Sequence, residues 1–229
     1  MESATFTFSG TSSSLKTEYN PSIELSPEKN YAVGLANLFT TNSIANIDPD
    51  QNKFYIGDNT VVFPTGAYEL GEVESFIQTS LQQAGANTLV SISPNDNTLR
   101  SEIKSTAQID FRPKDSIANL LGFHHRILPA NNKHVSEFHV NILKVNSIRV
   151  ECSIATGAYI NNQKVHTIHE FFPDVGTGFK IIETPKQIIY LPISTKSIDQ
   201  IELRIVDQNG DLVDFRGEVI TIRLHIKAT

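Results

Sequence analysis

The seven histidines are the side chains with most chemistry to offer, and the tightest group is His166-Thr167-Ile168-His169-Glu170. On a helix, two imidazoles three residues apart can point at one metal ion. Here Val165, Ile168, Phe171 and Phe172 surround them and run into Pro173, the pattern of a strand, on which residues three apart face opposite sides. A zinc site also needs third and fourth ligands at usable spacing, so no metal site is assigned. His124 and His125 follow Phe123 with no carboxylate in register and read as surface or interface histidines. Asp207, Asn209 and Asp211 alternate as the early ligands of a calcium loop do. The glycine such a loop carries at its sixth position stands here at the fourth, Gly210, and strands flank the segment, so a hairpin turn accounts for it.

Nucleophilic catalysis finds no better footing. The chain has no Gly-x-Ser-x-Gly, and its one cysteine, Cys152, lies in the alternating run Ile148, Val150, Cys152, Ile154, which points it inward as an inert apolar group. Glu69, Glu72 and Glu74 belong to the first turns of a helix, where carboxylates favour the positive end of its dipole. Gly176-Thr177-Gly178 sits between β segments and opens no helix, so it is no phosphate loop. No catalytic, cofactor-binding or metal-ligating residue is assigned, and the chain reads as a non-enzyme that needs no cofactor.

The elements that would position any site are almost all strands. Phe6 and Phe8 alternate with Thr5, Thr7 and Ser9, so residues 1–20 give a short strand and a polar loop, either a sheet edge or an N-terminal arm. Tyr31, Val33, Leu35 and Leu38-Phe39 form the first buried strand. Phe54-Tyr55-Ile56 and Val61-Val62-Phe63 flank Gly57-Asp58-Asn59 as a hairpin. One helix starts near Glu69, with Leu70, Val73, Ile77, Leu81 and Ala84 on its apolar stripe and Gly85 at its end. Asp115 is read as the N-cap of a helical turn through Ile117, Leu120 and Leu121, closed at Gly122. Strands follow at 140–143, 147–154, 165–172, 179–182, 187–193, 201–206 and 219–226, with Asn209-Gly210 supplying positive φ for the last hairpin. Many short strands with Gly, Pro and Asn turns predict an all-β fold, a sandwich of antiparallel strands with one or two short helices in the connections. No repeat or linker divides the chain, so residues 1–229 are read as one domain.

Composition bounds the function. A formal net charge of −6 is the wrong sign for gripping nucleic-acid phosphates, so direct sequence-specific nucleic-acid binding is not expected. No apolar run reaches the roughly 18 residues of a membrane span, and residues 1–10 lack the basic flank and apolar stretch of a signal peptide. One cysteine cannot make an internal disulfide, so the chain reads as a soluble protein folded inside the cell that makes it.

The C-terminal third carries a recognisable pattern. It comprises Thr156-Gly157-Ala158-Tyr159-Ile160-Asn161-Asn162, His166-Thr167-Ile168-His169-Glu170-Phe171-Phe172-Pro173 and Ile189-Tyr190-Leu191-Pro192, then residues 201–215 and 216–226. This block resembles the minor capsid, or penton, proteins of Polinton (Maverick) elements and the related adintoviruses of animals. Gly66-Ala67-Tyr68 and residues 117–123 look like the same family. The resemblance implies a single jelly roll, five copies of which form a ring at each vertex of an icosahedral capsid. The implied partners are the chain itself, as a homopentamer, and a double jelly-roll major capsid protein; the implied location is the virion. At 229 residues the chain is too short for two jelly rolls, which favours the penton. Residues 40–53 and 124–134 are candidate subunit contacts, and residues 2–19 a strand to lend to a neighbour. Two other classes share the architecture. A carbohydrate- or receptor-binding module would stack its ligand on aromatics, for which the chain offers Tyr68 and Tyr159 and no Trp. A cupin-type metal enzyme would need histidines converging inside the barrel.

Overall fold

The computed structural model describes residues 2–229. The chain forms two compact units, Met1–Ile44 with Val145–Thr229 and, between them in sequence, Ala45–Lys144. Every strand ladder among the described residues is antiparallel. The first unit begins with β1 (Ser3–Gly10), β2 (Ser14–Glu24) and β3 (Tyr31–Thr41). The second holds β4 (Lys53–Ile56), β5 (Asn59–Val62), α1 (Leu70–Gln83), β6 (Val90–Asn95), β7 (Arg100–Ser105), β8 (Ile109–Asp110), β9 (Ile127–Leu128) and β10 (Lys133–Val135). The chain then completes the first unit with β11 (Ile148–Cys152), β12 (Ala158–Ile160), β13 (Gln163–Val165), β14 (Thr167–Phe171), β15 (Lys180–Glu183), β16 (Leu191–Pro192), β17 (Ser197–Asp207) and β18 (Ile220–Ala228).

The first unit is a jelly-roll sandwich. One sheet runs β1-β18-β3-β15, with β16 also on β3; the other runs β14-β11-β17-β2. Alternation decides which side of each strand turns in. In β18, Ile220, Ile222, Leu224 and Ile226 are buried, while Thr221, Arg223, His225 and Lys227 face out. Ile201, Leu203 and Ile205 of β17 meet them from the opposite sheet, beside Ile148, Val150 and Cys152 of β11. In β3, Leu35 faces Leu224 and Asn37 faces Arg223, so Ala36 is an extra residue in the ladder. That bulge shifts the phase of β3 and keeps Leu38, like Val33 and Leu35, in the core.

Residues 2–19, read as an edge or an arm, are tied into the sheets of their own chain. β1 pairs with β18 from Ser3↔Lys227 to Gly10↔Ile220, and β2 pairs with β17. Both are edge strands.

The second unit has its own core. Its sheets are β10-β7-β6 and β5-β4-β8-β9, and α1 buries Leu70, Val73, Ile77 and Leu81 against a cluster that includes Phe54, Phe63, Phe111 and Phe123. The Glu72 carboxylate accepts the Glu69 N–H at 2.8 Å, which closes the start of α1. Ala84, expected on the apolar stripe, is the exposed C-cap instead. The hairpin of β4 and β5 turns at Gly57-Asp58, with Gly57 at φ +54°.

Four local expectations are corrected. Residues 140–143 form no strand, because Val140 N–H bonds the Leu99 carbonyl and Asn141 N–H the Leu120 carbonyl, two acceptors on different segments. Of 187–193 only Leu191 and Pro192 form a strand on β3, with Ile193 N–H then bonding the Tyr31 carbonyl at 3.0 Å. The residues before them cross β3 at Gly34, where an added Cβ would lie 2.4 Å from Ile188 Cγ2. Asp115 caps no helix: its carboxylate accepts from Lys53 Nζ at 2.8 Å and Tyr55 OH at 2.9 Å, and the following residues form turns that end at Gly122, φ +76°. In Asn209-Gly210 only the glycine has positive φ.

Gly122 and Gly85 give a paired test of backbone constraint. Both sit at positive φ, +76° and +72°, but a Cβ on Gly122 would meet the Phe138 carbonyl oxygen at 2.4 Å, whereas one on Gly85 meets nothing within 4 Å. Gly85→Ala is expected to cost about 1 kcal/mol, and Gly122→Ala about 3 kcal/mol or more because backbone must also move. Urea unfolding midpoints read the difference; equal losses would contradict it.

Candidate functional site

The histidine group does not converge. His166 donates from Nδ1 to the Ala155 carbonyl at 2.7 Å, His169 Nε2 donates to Glu183 Oε1 at 2.8 Å, and Glu170 accepts from Ser147 Oγ at 2.7 Å. The His169–Glu183 bond joins β14 of one sheet to β15 of the other and fastens that side of the sandwich. His125 donates from Nδ1 to the Phe111 carbonyl at 2.9 Å, and the His124 ring meets Phe138 edge-on at 4.7 Å. Among the described residues, no three of His, Cys, Asp and Glu come together as metal ligands.

The calcium-like segment uses its carboxylate on its own backbone. Asp207 Oδ1 accepts the N–H groups of Asn209 and Asp211 at 2.8 and 3.0 Å. Arg149 then donates from Nη2 to the Asp207 carbonyl at 2.7 Å. The Arg149 contact was not visible in sequence, since 58 residues separate the pair.

Cys152 is fully buried, and burial pushes its thiol up to about 11. Glu74, one of the helix carboxylates, accepts the Ile92 N–H at 3.1 Å and so ties α1 to β6. A cleft of about 380 Å³ in the first unit is lined by Tyr31, Ala32, Tyr190, Pro192 and Lys196 among others, with no acidic or imidazole side chain to make an acid–base pair. Of the two tyrosines considered for ligand stacking, Tyr68 packs between Phe63 and Phe76, and Tyr159 stands 67% exposed on the β12–β13 hairpin.

The two candidate contact segments are ordered by bonds to their own units. Residues 40–41 belong to β3, Ile47 is fully buried, and the Asn46 amide donates to the carbonyls of Tyr68 and Ile142 at 2.9 and 3.1 Å. Lys144 bonds Asp48 and holds its carboxyl below the usual range, as Lys53 and then Tyr55 do for Asp115. In 124–134, Asn131 N–H bonds the Ser105 carbonyl at 2.7 Å and His134 donates to the Pro129 carbonyl at 2.8 Å.

What remains is surface rather than pocket. On the outer face of the β14-β11-β17-β2 sheet, Arg204 pairs with Glu151 at 2.8 Å and Lys16 with Glu18 at 2.7 Å, a solvated pattern. The two sides of the sandwich differ from that face and from each other. At one side β1 and β2 close over the half-buried pair Phe6 and Tyr19, whose rings meet edge-on at 5.9 Å. At the other, the His169–Glu183 bond closes the gap between the sheets, Ile182 points off the outer face of β15 opposite Phe39, and Phe172 follows the inward Phe171 onto the outer face of the other sheet, 67 and 72% exposed.

A scan against protein-family models finds no match, and a search of the curated proteins finds none. Among solved structures the chain is similar in fold to the mavirus penton protein, known from a selenomethionine-labelled crystal. The TM-score is 0.52 at 11% sequence identity, over 99% of this chain and 99% of that one. The likeness agrees with the all-β jelly-roll sandwich described above.

The burial of Cys152 has a measurable sign. Its thiol titrates higher folded than unfolded, so its contribution to stability is complete below about pH 9 and is lost as pH rises toward about 11. The loss is about 3 kcal/mol at most. Stability measured from pH 8 to 11 should fall less in Cys152→Val than in the natural chain; parallel curves would contradict the burial argument.

Proposed function

We propose that the chain is a minor capsid, or penton, protein, five copies of which form a homopentameric ring at a vertex of an icosahedral capsid. The observation that carries this reading is the fold likeness to the mavirus penton protein along nearly the whole of both chains. The C-terminal pattern shared with Polinton and adintovirus penton proteins supports the same conclusion. In this reading the protein is a structural, non-enzymatic component of the virion. Its partners are further copies of itself and the double jelly-roll major capsid protein that surrounds the vertex. The scattered histidines and the structural use of Asp207 fit such a role, since each polar group serves the fold. The acidic balance fits a shell component that does not grip the genome.

A ring of this kind is heterologous: each copy offers two different surfaces, and closure leaves neither free. Light scattering after size exclusion should therefore give a particle of five times the 25.4 kDa chain mass, with no series of larger species. A particle of two or three chains would overturn the ring reading.

A further inference from the structure

The β1 edge of the first unit combines features that together describe one kind of partner. It presents a row of unpaired backbone groups. Ala228 N–H bonds the Glu2 carbonyl at 2.8 Å and Ser3 stands opposite Lys227, so the even-numbered residues of β1 turn their backbone groups to β18. Ser3, Thr5, Thr7 and Ser9 turn theirs to the open edge, where no strand among the described residues pairs with them. Ser3–Gly10 also lacks the usual guards of an edge, having no charge, no proline and no bulge against β18. An extended backbone is what satisfies such a row.

Two further features set the side chains that this backbone should carry. Toward the gap between the sheets, Phe6 meets Tyr19 edge-on at 5.9 Å, and both rings are half-buried. A strand laid along β1 turns every second side chain to that gap, where apolar groups would cover the rest of both rings. On the outer face, Lys227, His225 and Arg223 of β18 stand opposite Ser3, Thr5 and Thr7. The strands of this sheet hold one carboxylate, Glu183, which bonds His169 of the other sheet. Lys227 Nζ lies 3.8 Å from the Tyr190 ring centre and Tyr190 OH bonds His225 Nδ1 at 2.7 Å, whereas Arg223 is exposed and has no ion pair among the described residues. In a chain of net charge −6, this face is cationic. A strand docked on β1 would run about 10 Å from β18, two strand spacings, with only the short side chains of Thr5 and Thr7 between. Glutamates on its outer face would then reach Arg223 and Lys227.

We propose that the β1 edge binds an extended segment of a partner protein whose side chains alternate between apolar residues, turned to Phe6 and Tyr19, and carboxylates, turned to Arg223 and Lys227. A second copy of this chain does not supply that pattern. The other edges of the sandwich bring to their outer faces Lys16 beside Glu18 on β2, Lys180 and Ile182 on β15, and Glu170 on β14, none of them a run of acids. Such docking requires no pentameric ring.

Synthetic peptides long enough to pair with Ser3–Gly10 test it, one alternating valine with glutamate and one valine with lysine. The natural chain should bind the glutamate peptide at least about tenfold more tightly than the lysine peptide. Its Thr5 and Thr7 amides should exchange with solvent quickly alone and slowly with the glutamate peptide bound. Thr7→Pro removes an outward N–H and leaves the β18 ladder intact, so its melting temperature should stay within a few degrees of the natural chain while binding of the glutamate peptide weakens at least about tenfold. Arg223→Glu, at an exposed position, should weaken that peptide about tenfold and strengthen the lysine peptide. Equal binding of the two peptides, binding of neither, or unchanged binding in both variants would overturn the proposal. Thr5 and Thr7 amides already protected without peptide would overturn it too, by placing a second copy on the edge.

Discussion

The apolar layer between the two sheets of the first unit is the constraint on which everything else in that unit depends. Val33, Leu35 and Leu38 from β3 and the four inward residues of β18 face Ile201, Leu203 and Ile205 of β17 and Ile148, Val150 and Cys152 of β11. Truncating one such side chain to alanine costs about 2–5 kcal/mol, a large part of the stability of an ordinary domain. A slip of one residue in any of these strands would turn its whole row to solvent. Register is therefore strongly fixed, and the Ala36 bulge follows from it, since without the extra residue Leu38 would point outward. The second unit meets the same requirement separately, with α1 and two small sheets around four buried phenylalanines.

Fixing the layer also fixes what the surfaces can be. Outward positions of β2, β11 and β17 carry paired charges and stay solvated. The sandwich has no closed barrel, so two sides are left where the layer ends, and these hold the half-buried Phe6 and Tyr19 at one and the His169–Glu183 bond at the other. Here the polar groups are spent on the fold: His166 on a carbonyl, His169 on the bond between sheets, Asp207 on its turn, Asp115 on Lys53 and Tyr55.

Periodic elements could be read from the residues alone. The β18 alternation, the spacing of Leu70, Val73, Ile77 and Leu81, and the Gly57-Asp58 turn are local patterns, and each appears in the structure. Errors arose where a distant segment decides. Val140 to Leu143 has strand composition but no strand beside it, and Ile188 and Ile189 are lifted off the ladder by crossing Gly34. Asp115 has the chemistry of a cap, yet Lys53 and Tyr55, some 60 residues earlier, claim it. The division into two units was equally hidden, because no Pro-, Gly- or Ser-rich linker marks the passages near Ile44 and Val145. The edge strands were not legible either, since an edge is defined by what fails to pair with it.

The central claim is that copies of this chain close into a five-fold ring. Electron-microscopic class averages of the purified particle test it most directly, because rotational symmetry is seen without any assumption about mass or shape. The account predicts end-on views with five equal lobes around a centre. Particles with two-fold symmetry, or open chains of subunits of varied length, would contradict it.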